Sequence, residues 1–403
     1  MRDQRVQLTR RPVSLLASTL MIAALGCGDD TESPTAPTAA PALATAATAP
    51  LSFYQVSGGY DRSCGVTTDN RAYCWGGGGE GQLGDGSTTN RLLPVAVVGG
   101  HSFHQISAGA AATCGVTSDY RAYCWGANDR GELGDGTTTQ RTTPVLVAGG
   151  HQFRQIETNF LHTCAVSYPD QRAYCWGYNL DGQLGDGKRI NRLEPVAVAG
   201  ALSFRQVTTG YHHSCGVTTD DQVYCWGANR SGQIGDSSTA GRRLKPTRVS
   251  GTRQYRKVDA GADHTCAVTT GSRAFCWGNG TQGQLGNGKT YLSFWPRAVA
   301  GGHSFDRVTA GYTHTCGESA SDRIYCWGAN YNGQLGDGTT TARLTPIAAG
   351  GGLTFAQVSV GISHTCGRTA AAVGYCWGRG FTGQLGYGGT GASSTPVAVA
   401  GPM

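Results

Sequence analysis

"TCGVTSDYRAYCWG", residues 113–126, sets two cysteines nine residues apart, with a Trp–Gly directly behind the second. Nearly the same phrase occurs seven times. Aligned on the Trp–Gly, the repeats fall at Trp75, Trp125, Trp176, Trp226, Trp277, Trp327 and Trp377, spaced by 50 or 51 residues. Each tryptophan follows a cysteine and precedes a version of "GQLGDG". A period near 50 punctuated by glycine and aromatics belongs to a propeller or a solenoid.

In "CGVTTDNRAYC" (64–74), pairing inward from the cysteines matches Gly65 with Tyr73, Val66 with Ala72 and Thr67 with Arg71. Thr68, Asp69 and Asn70 are left as a three-residue loop, an allowed hairpin length. Directly opposed strand residues have Cα atoms about 4.5–5.5 Å apart, within reach of a disulfide. Cys164 and Cys175 are one residue further apart, and the extra residue falls in the turn "YPDQ". The cysteine register survives the insertion, as bonding requires. The expected pairs are Cys64–Cys74, Cys114–Cys124, Cys164–Cys175, Cys215–Cys225, Cys266–Cys276, Cys316–Cys326 and Cys366–Cys376. Each contributes about 2–3 kcal/mol in the chain-entropy model. A metal reading fails because this spacing does not chelate, and disulfides imply export to an oxidising compartment.

Each repeat offers four strands: "PVAV"-like from a proline, "FxQV"-like, "TCGVT" and "RAYCWG". Period-2 alternation with turns between makes each repeat an antiparallel meander. One blade alone buries too little to be stable, whereas seven around an axis share a continuous core. The fold expected is all-β, a seven-bladed β-propeller of four-stranded antiparallel blades over residues 51–403. The first repeat lacks a preceding proline strand and the last ends in one. Pro396–Ala400 is therefore expected to complete the blade of Phe53, Cys64 and Trp75, so that the terminal strands close the ring.

Ahead of the repeats, Arg2, Arg5, Arg10 and Arg11 precede the apolar stretch "VSLLASTLMIAALG", the pattern of a secretory signal over residues 1–26. Cys27 follows directly. "ALGC" resembles the lipobox of bacterial lipoproteins, which implies a lipidated Cys27 and a membrane anchor without a bilayer span; plain cleavage leaving a free thiol is the alternative. Residues 27–50 are Thr-, Ala- and Pro-rich and read as a tether. Residues 51–403 carry a net charge of +6 without a basic run, so no nucleic-acid partner is expected. A monomer without cofactor or metal is expected, exported and lipid-anchored to the cell envelope.

Repeated residues are weighed against structural duties. His162, His213, His264, His314 and His364 precede the Thr/Ser–Cys, where the other repeats have Arg62 and Ala112. They could bind metal or transfer protons, but one per blade suits a backbone-bonded histidine near the axis. Asp85, Asp135, Asp186, Asp236 and Asp337 could serve calcium or cap turns; Asn287 and Tyr387 share that slot. Arg91, Arg141, Arg192, Arg243 and Arg343 stand three residues before the blade proline and read as structural or solvated. No nucleophile elbow, phosphate loop or zinc motif is present.

Positions that break the repeat are more informative. The variable segments after Trp–Gly should line one face, displaying Tyr178, Tyr331 and Phe381. The fifth repeat adds "KTYLSFWP", with Tyr291, Phe294 and Trp295. Exposed aromatics anchor binding surfaces, and packing between blades is the competing explanation.

The stretch "AGYTHTCGESASDRIYCWGANYNGQLGDG" (310–338) carries a Gly–x–x–His–Thr segment, a Tyr–x–Trp–Gly strand and a Gly–Gln–Leu–Gly. It resembles the repeats of the regulator of chromosome condensation family, over all seven copies. The resemblance implies the seven-bladed propeller. This chain departs from the family in its two cysteines per blade. The founding eukaryotic member exchanges nucleotide on a nuclear GTPase and binds chromatin; other members are receptors, interaction modules or secreted bacterial enzyme inhibitors. The exchange factor uses a wedge-like insertion, for which repeats of 50–51 residues leave no space. The expected function is a surface-tethered module binding a protein or cell-surface glycan through propeller loops. The alternatives are a carbohydrate-active enzyme at the axis, which needs an unequal pair of perturbed carboxylates there, and nucleotide exchange.

Overall fold

The computed structural model describes residues 49–402; the leader expected at 1–26, Cys27 and nearly all of the expected tether lie outside them. Four strands, β1 (Phe53–Gly58), β2 (Arg62–Thr67), β3 (Ala72–Gly76) and β4 (Arg91–Ala96), are hydrogen-bonded in that order as one antiparallel sheet. Six further four-stranded sheets repeat it, the last built from Gln357–Val360, His364–Arg368, Gly374–Gly378 and Ser393–Ala398. Among the described residues there is no helix. The seven sheets are the blades of a propeller, with the β1-type strands side by side around the axis.

The hairpin register is the one the cysteines dictate. Cys64 opposes Cys74, Gly65 opposes Tyr73 and Val66 opposes Ala72. Asn70 takes φ +62°, the left-handed residue a three-residue hairpin loop needs. All seven expected disulfides are present, with Cα–Cα distances of 4.0–4.1 Å. The longer hairpin of the third blade keeps Cys164 opposite Cys175, as expected from its inserted turn.

Strand order and ring closure differ from expectation. The proline strand comes last in its blade and pairs with the Trp–Gly strand before it: Cys74 opposes Val95, and Gly76 opposes Arg91. Pro396 accordingly lies in the blade of Cys366 and Trp377, where Cys376 opposes Val397, and does not complete the blade of Phe53. Among the described residues no strand is exchanged between the chain ends. The proline has no N–H to give a second neighbour, which keeps its strand at an edge in either order; the pairing with the Trp–Gly strand, joined to it by the long variable loop, fixes which edge. The order seen places it on the outer edge of every blade.

The ring closes through the same face packing that joins every neighbouring pair. Cys64, Val66, Cys74 and Leu83 of blade 1 form one buried cluster with Phe103, Ile106 and Trp125 of blade 2. At the closing seam Cys366, Cys376 and Leu385 pack with Phe53, Val56 and Trp75. Each disulfide thus belongs to the core between blades. The Trp125 indole N–H donates to the Gln82 carbonyl at 3.0 Å, and Trp75 does the same to Gln384 at the closing seam. The edge of that indole rests on Gly84, whose φ is +73°. This contact explains why every repeat carries both Trp–Gly and a version of Gly–Gln–Leu–Gly with its last glycine kept: each motif is the other's partner one blade away.

Candidate functional site

The repeated histidines are fully buried seam elements. The His264 Nε2–H donates to the Thr315 hydroxyl of the next blade at 2.9 Å, and that hydroxyl donates to the Gln284 carbonyl at 3.0 Å. His162, His213, His314 and His364 repeat the arrangement on Ser214, Thr265, Thr365 and Ser63. Their partner is therefore a hydroxyl, where a backbone group was expected. Burial holds four of these imidazoles down to about pKa 3, and His364 to about 4. Arg62 performs the same task in blade 1, donating to Thr113 and to the Ala110 and Ala112 carbonyls. Among the described residues no group of His, Cys, Asp or Glu is arranged to hold a metal ion.

The turn aspartates and the arginines before the prolines are one device. Asp85 accepts from the Ser87 backbone N–H and is paired with Arg91 at 2.7 Å. Asp135–Arg141, Asp186–Arg192, Asp236–Arg243 and Asp337–Arg343 repeat the pair. Burial alone would raise Asp85, but hydrogen bonds from Arg91 and Ser87 outweigh it and hold the carboxyl below its ordinary value. Where Asn287 and Tyr387 replace the aspartate, Ser293 and Ser393 replace the arginine. That joint loss was the signal in the sequence for the pairing.

In an antiparallel meander the first and third connections leave by the same end. The variable loops after Trp–Gly therefore share a face with the short β1–β2 connections, and Gly77 N–H donates to Asp61 O across that face. Tyr331 is 69% exposed and Phe381 60%, and Tyr291 is exposed as well. Tyr178 meets His212 edge-on at 6.1 Å. Towards the axis lies a cluster that sequence reasoning did not single out: Phe160 stacks on Tyr211 at 4.1 Å, and Tyr211 meets Tyr312 at 5.2 Å. Tyr211 and Tyr312, with Tyr60 and Ile362, line a pocket of about 40 Å³. Burial, then the neighbouring Tyr60 and Tyr312 hydroxyls, lifts the Tyr211 hydroxyl above its ordinary value. Trp295 is exposed on the outer strand under the Arg297 guanidinium, 4.5 Å away. Phe294 is half-buried against Gly232, the slot that Leu92, Leu193, Leu244 and Leu344 fill elsewhere. The six aromatics singled out in the sequence thus occupy three settings: loop face, outer edge and blade seam.

The innermost strands enclose an axial cavity of about 420 Å³. Five blades present a glutamine to it (Gln55, Gln105, Gln155, Gln206, Gln357), and blades 5 and 6 present Lys257 and Arg307. Two residues further on, Ser57, Ser107, Thr208 and Ser359 each accept a backbone N–H of the next blade, from Ala108, Thr158, Ala260 and Gly58. Blades 3 and 5 carry Glu157 and Asp259 there. Asp259 accepts from Thr208 at 2.7 Å and from Ala310 N–H at 2.8 Å; Glu157 accepts from Ser107 at 3.0 Å. Burial, then the Asp259 carboxylate, raises Glu157 to about 8, and burial raises Asp259 to about 6. Aligning "FxQV" across the repeats exposes all four departures, because only these blades break the Gln and Ser/Thr pattern.

Fold and site together define a disulfide-stapled β-propeller with an aromatic loop face and a charged axial cavity. A family model for the RCC1-like domain matches residues 22–315, and models of the regulator of chromosome condensation repeat match residues 321–367 and 305–334. The chain belongs to the RCC1-like family. It is 31% identical over 249 residues to the Arabidopsis thaliana ultraviolet-B receptor UVR8, covering 60% of this chain and 44% of the receptor, less than half its length. Human WBSCR16 superposes with a TM-score of 0.73 at 19% identity, over 79% of this chain and 87% of that one. Prp20p from Saccharomyces cerevisiae does so at 0.72 and 20%, over 88% and 87%. These two likenesses establish the fold.

Proposed function

We propose that this chain is an exported, lipid-tethered interaction module that binds a protein through its aromatic loop face. The observation that carries the reading is the gathering of exposed Tyr331, Phe381 and Tyr291 on the face that also holds the Tyr178, Tyr211 and Tyr312 cluster. Rigid aromatics of this kind are what interfaces concentrate at their anchor points. Trp295 offers a second contact at the outer edge. Relatives support a protein partner in kind: Prp20p has binding properties toward Gsp1p and histones, and UVR8 is a receptor. Seven buried disulfides suit an oxidising, extracellular environment. Cys27 behind "ALG" supplies the anchor and residues 27–50 the tether. Among the described residues no helix is long and apolar enough to cross a membrane. Nucleotide exchange gains no support, since seven near-equal repeats carry no wedge.

The test is cross-linking of the protein in place on its native cells, beside a Tyr331→Ala/Phe381→Ala variant. A protein captured by the wild type and lost by the variant supports the reading; a partner retained by the variant removes the loop face from it. Capture of a polysaccharide in place of a protein would transfer the face to glycan recognition.

Glu157 and Asp259 favour a second reading, a glycan-active enzyme at the axis, because their carboxyl groups are unequally raised and share one cavity. Both groups already serve as seam acceptors, which ranks this reading second. Turnover on a surface-glycan panel that disappears in Glu157→Gln would promote it.

A further inference from the structure

The glutamines around the axis are paired with their neighbours like steps of a ladder. Gln55 Nε2–H donates to the Ile106 carbonyl, and Ile106 N–H donates back to Gln55 Oε1, both at 2.9 Å. Gln105 with Ile156, Gln155 with Val207 and Gln357 with Val56 repeat the double bond. Each such pair joins two blades where their backbones would otherwise present unpaired groups to the cavity. Lys257 and Arg307 give this up in two adjacent blades. The Lys257 ammonium has no hydrogen-bond or ion-pair partner among the described residues, and the nearest carboxylate to Arg307 is Glu318, at 3.9 Å. Glu318 meanwhile accepts the Val358 N–H at 2.7 Å, the bond a glutamine at position 307 would have taken. Glu318 thus replaces the bond lost at Arg307 while pairing loosely with it, and the Lys257 ammonium is left without a close partner among the described residues.

These cations do not stand alone. Arg154 and Arg205, from blades 3 and 4, line the same cavity. Their terminal nitrogens reach the Phe204 carbonyl and Asp221, but the Nε of each is buried without a partner. Four cations on consecutive blades thus face a wall of Gln55, Gln105 and Gln357; Glu157 and Asp259 are the carboxyl groups lining the cavity, while Asp221 and Glu318 pair with Arg205 and Arg307 outside its lining. Like charges held together in a half-buried, polar space repel one another, and an anion placed among them relieves that repulsion while filling the empty hydrogen bonds. A cavity of about 420 Å³ is of the size that takes a small molecule.

We propose that the axial cavity binds a small polar molecule carrying a carboxylate or phosphate group, held by Lys257 and Arg307 with Arg154 and Arg205 beside them. Hydroxyl groups on the ligand meet the glutamine and Ser/Thr side of the cavity. The four cations sit on the part of the inner strands next to the β2–β3-type hairpins, where Arg205 reaches Asp221, and the aromatic loop face is at the other end of those strands. Anion binding and partner capture therefore succeed or fail independently, and the site needs no turnover.

Titration calorimetry on the full chain, with glucuronate, inorganic phosphate and neutral glucose as separate probes, tests the assignment. Saturable binding of either anion, with none of glucose, is expected; glucuronate alone assigns the carboxylate source and phosphate alone the phosphate source. The Lys257→Gln/Arg307→Gln variant restores the glutamine ring, so it should lose at least tenfold in anion affinity while melting above the wild type. Should the double variant fail to fold, Lys257→Gln alone must show the affinity loss. Absence of saturable binding of both anions, or binding by the variant as tight as by the wild type, overturns the proposal.

Discussion

Histidine is where a single residue type couples this fold to solution conditions. The five buried imidazoles resist protonation down to about pH 3–4, while in the unfolded chain they take up a proton near 6.5. Between those values the unfolded chain holds more protons, so falling pH removes stability. Glu157 and Asp259 act in the opposite sense, since their folded forms keep a proton that the unfolded chain releases. The five imidazoles outnumber these two carboxyls, so stability should fall as the pH drops from about 6.5 to 5, the slope steepening as the unfolded-state histidines protonate. Denaturant unfolding across that range measures the slope, and a flat profile contradicts the seam role. The recurrence of these histidines was legible in the sequence, whereas their hydroxyl partners were not. Four partners lie 51 or 52 residues ahead in the next blade and that of His364 lies 301 residues back across the closing seam, a relation that only stacking supplies.

Among the elements, the hairpins could be read from spacing alone because a cysteine at each end fixes the register and the loop length together. Strand order could not. In a cyclic repeat the proline strand is joined to the "FxQV" strand ahead by the short segment 97–102 and to the Trp–Gly strand behind by the long loop 77–90, so proximity in sequence favours the wrong neighbour. The missing proline N–H keeps that strand at an edge in either order and so does not choose between them. The seam between blades makes its own prediction. A Cβ on Gly84 would lie 2.6 Å from the Trp125 Nε1, at a φ of +73°. Gly84→Ala should cost about 2–4 kcal/mol, from overpacking and left-handed backbone together. Gly79, with nothing within 4 Å, is the control: Gly79→Ala should leave the denaturation midpoint nearly unmoved. Equal effects at both positions would remove the indole from the seam.

At the scale of the whole molecule, sevenfold repetition made the architecture legible and hid the site. Positions shared by all blades build the ring, so chemistry resides in the departures: Lys257, Arg307, Glu157 and Asp259 on the axis, and Tyr211, Tyr312, Tyr331 and Phe381 on the loop face. Tyr331 and Phe381 stood out in the sequence because their segments vary openly, whereas Tyr211 and Tyr312, in the short β1–β2-type connections, did not. The axial departures occupy strands that otherwise look alike, and which strand lines the axis follows only from the order within the blade. The tether carries a separate prediction: Cys27→Ser should move the protein from the membrane fraction to the soluble one, and a variant still in the membrane fraction would contradict lipidation.

The most direct test of the account is the affinity of the captured protein for three forms of this chain: wild type, Tyr331→Ala/Phe381→Ala and Lys257→Gln/Arg307→Gln. Loss of two exposed aromatic anchors should weaken binding by roughly 100-fold or more, on the scale of about 2 kcal/mol per hot spot. The axial variant should bind the partner as the wild type does. Full affinity in the aromatic variant, with loss in the axial one, would contradict the account and move the binding face to the other end of the propeller.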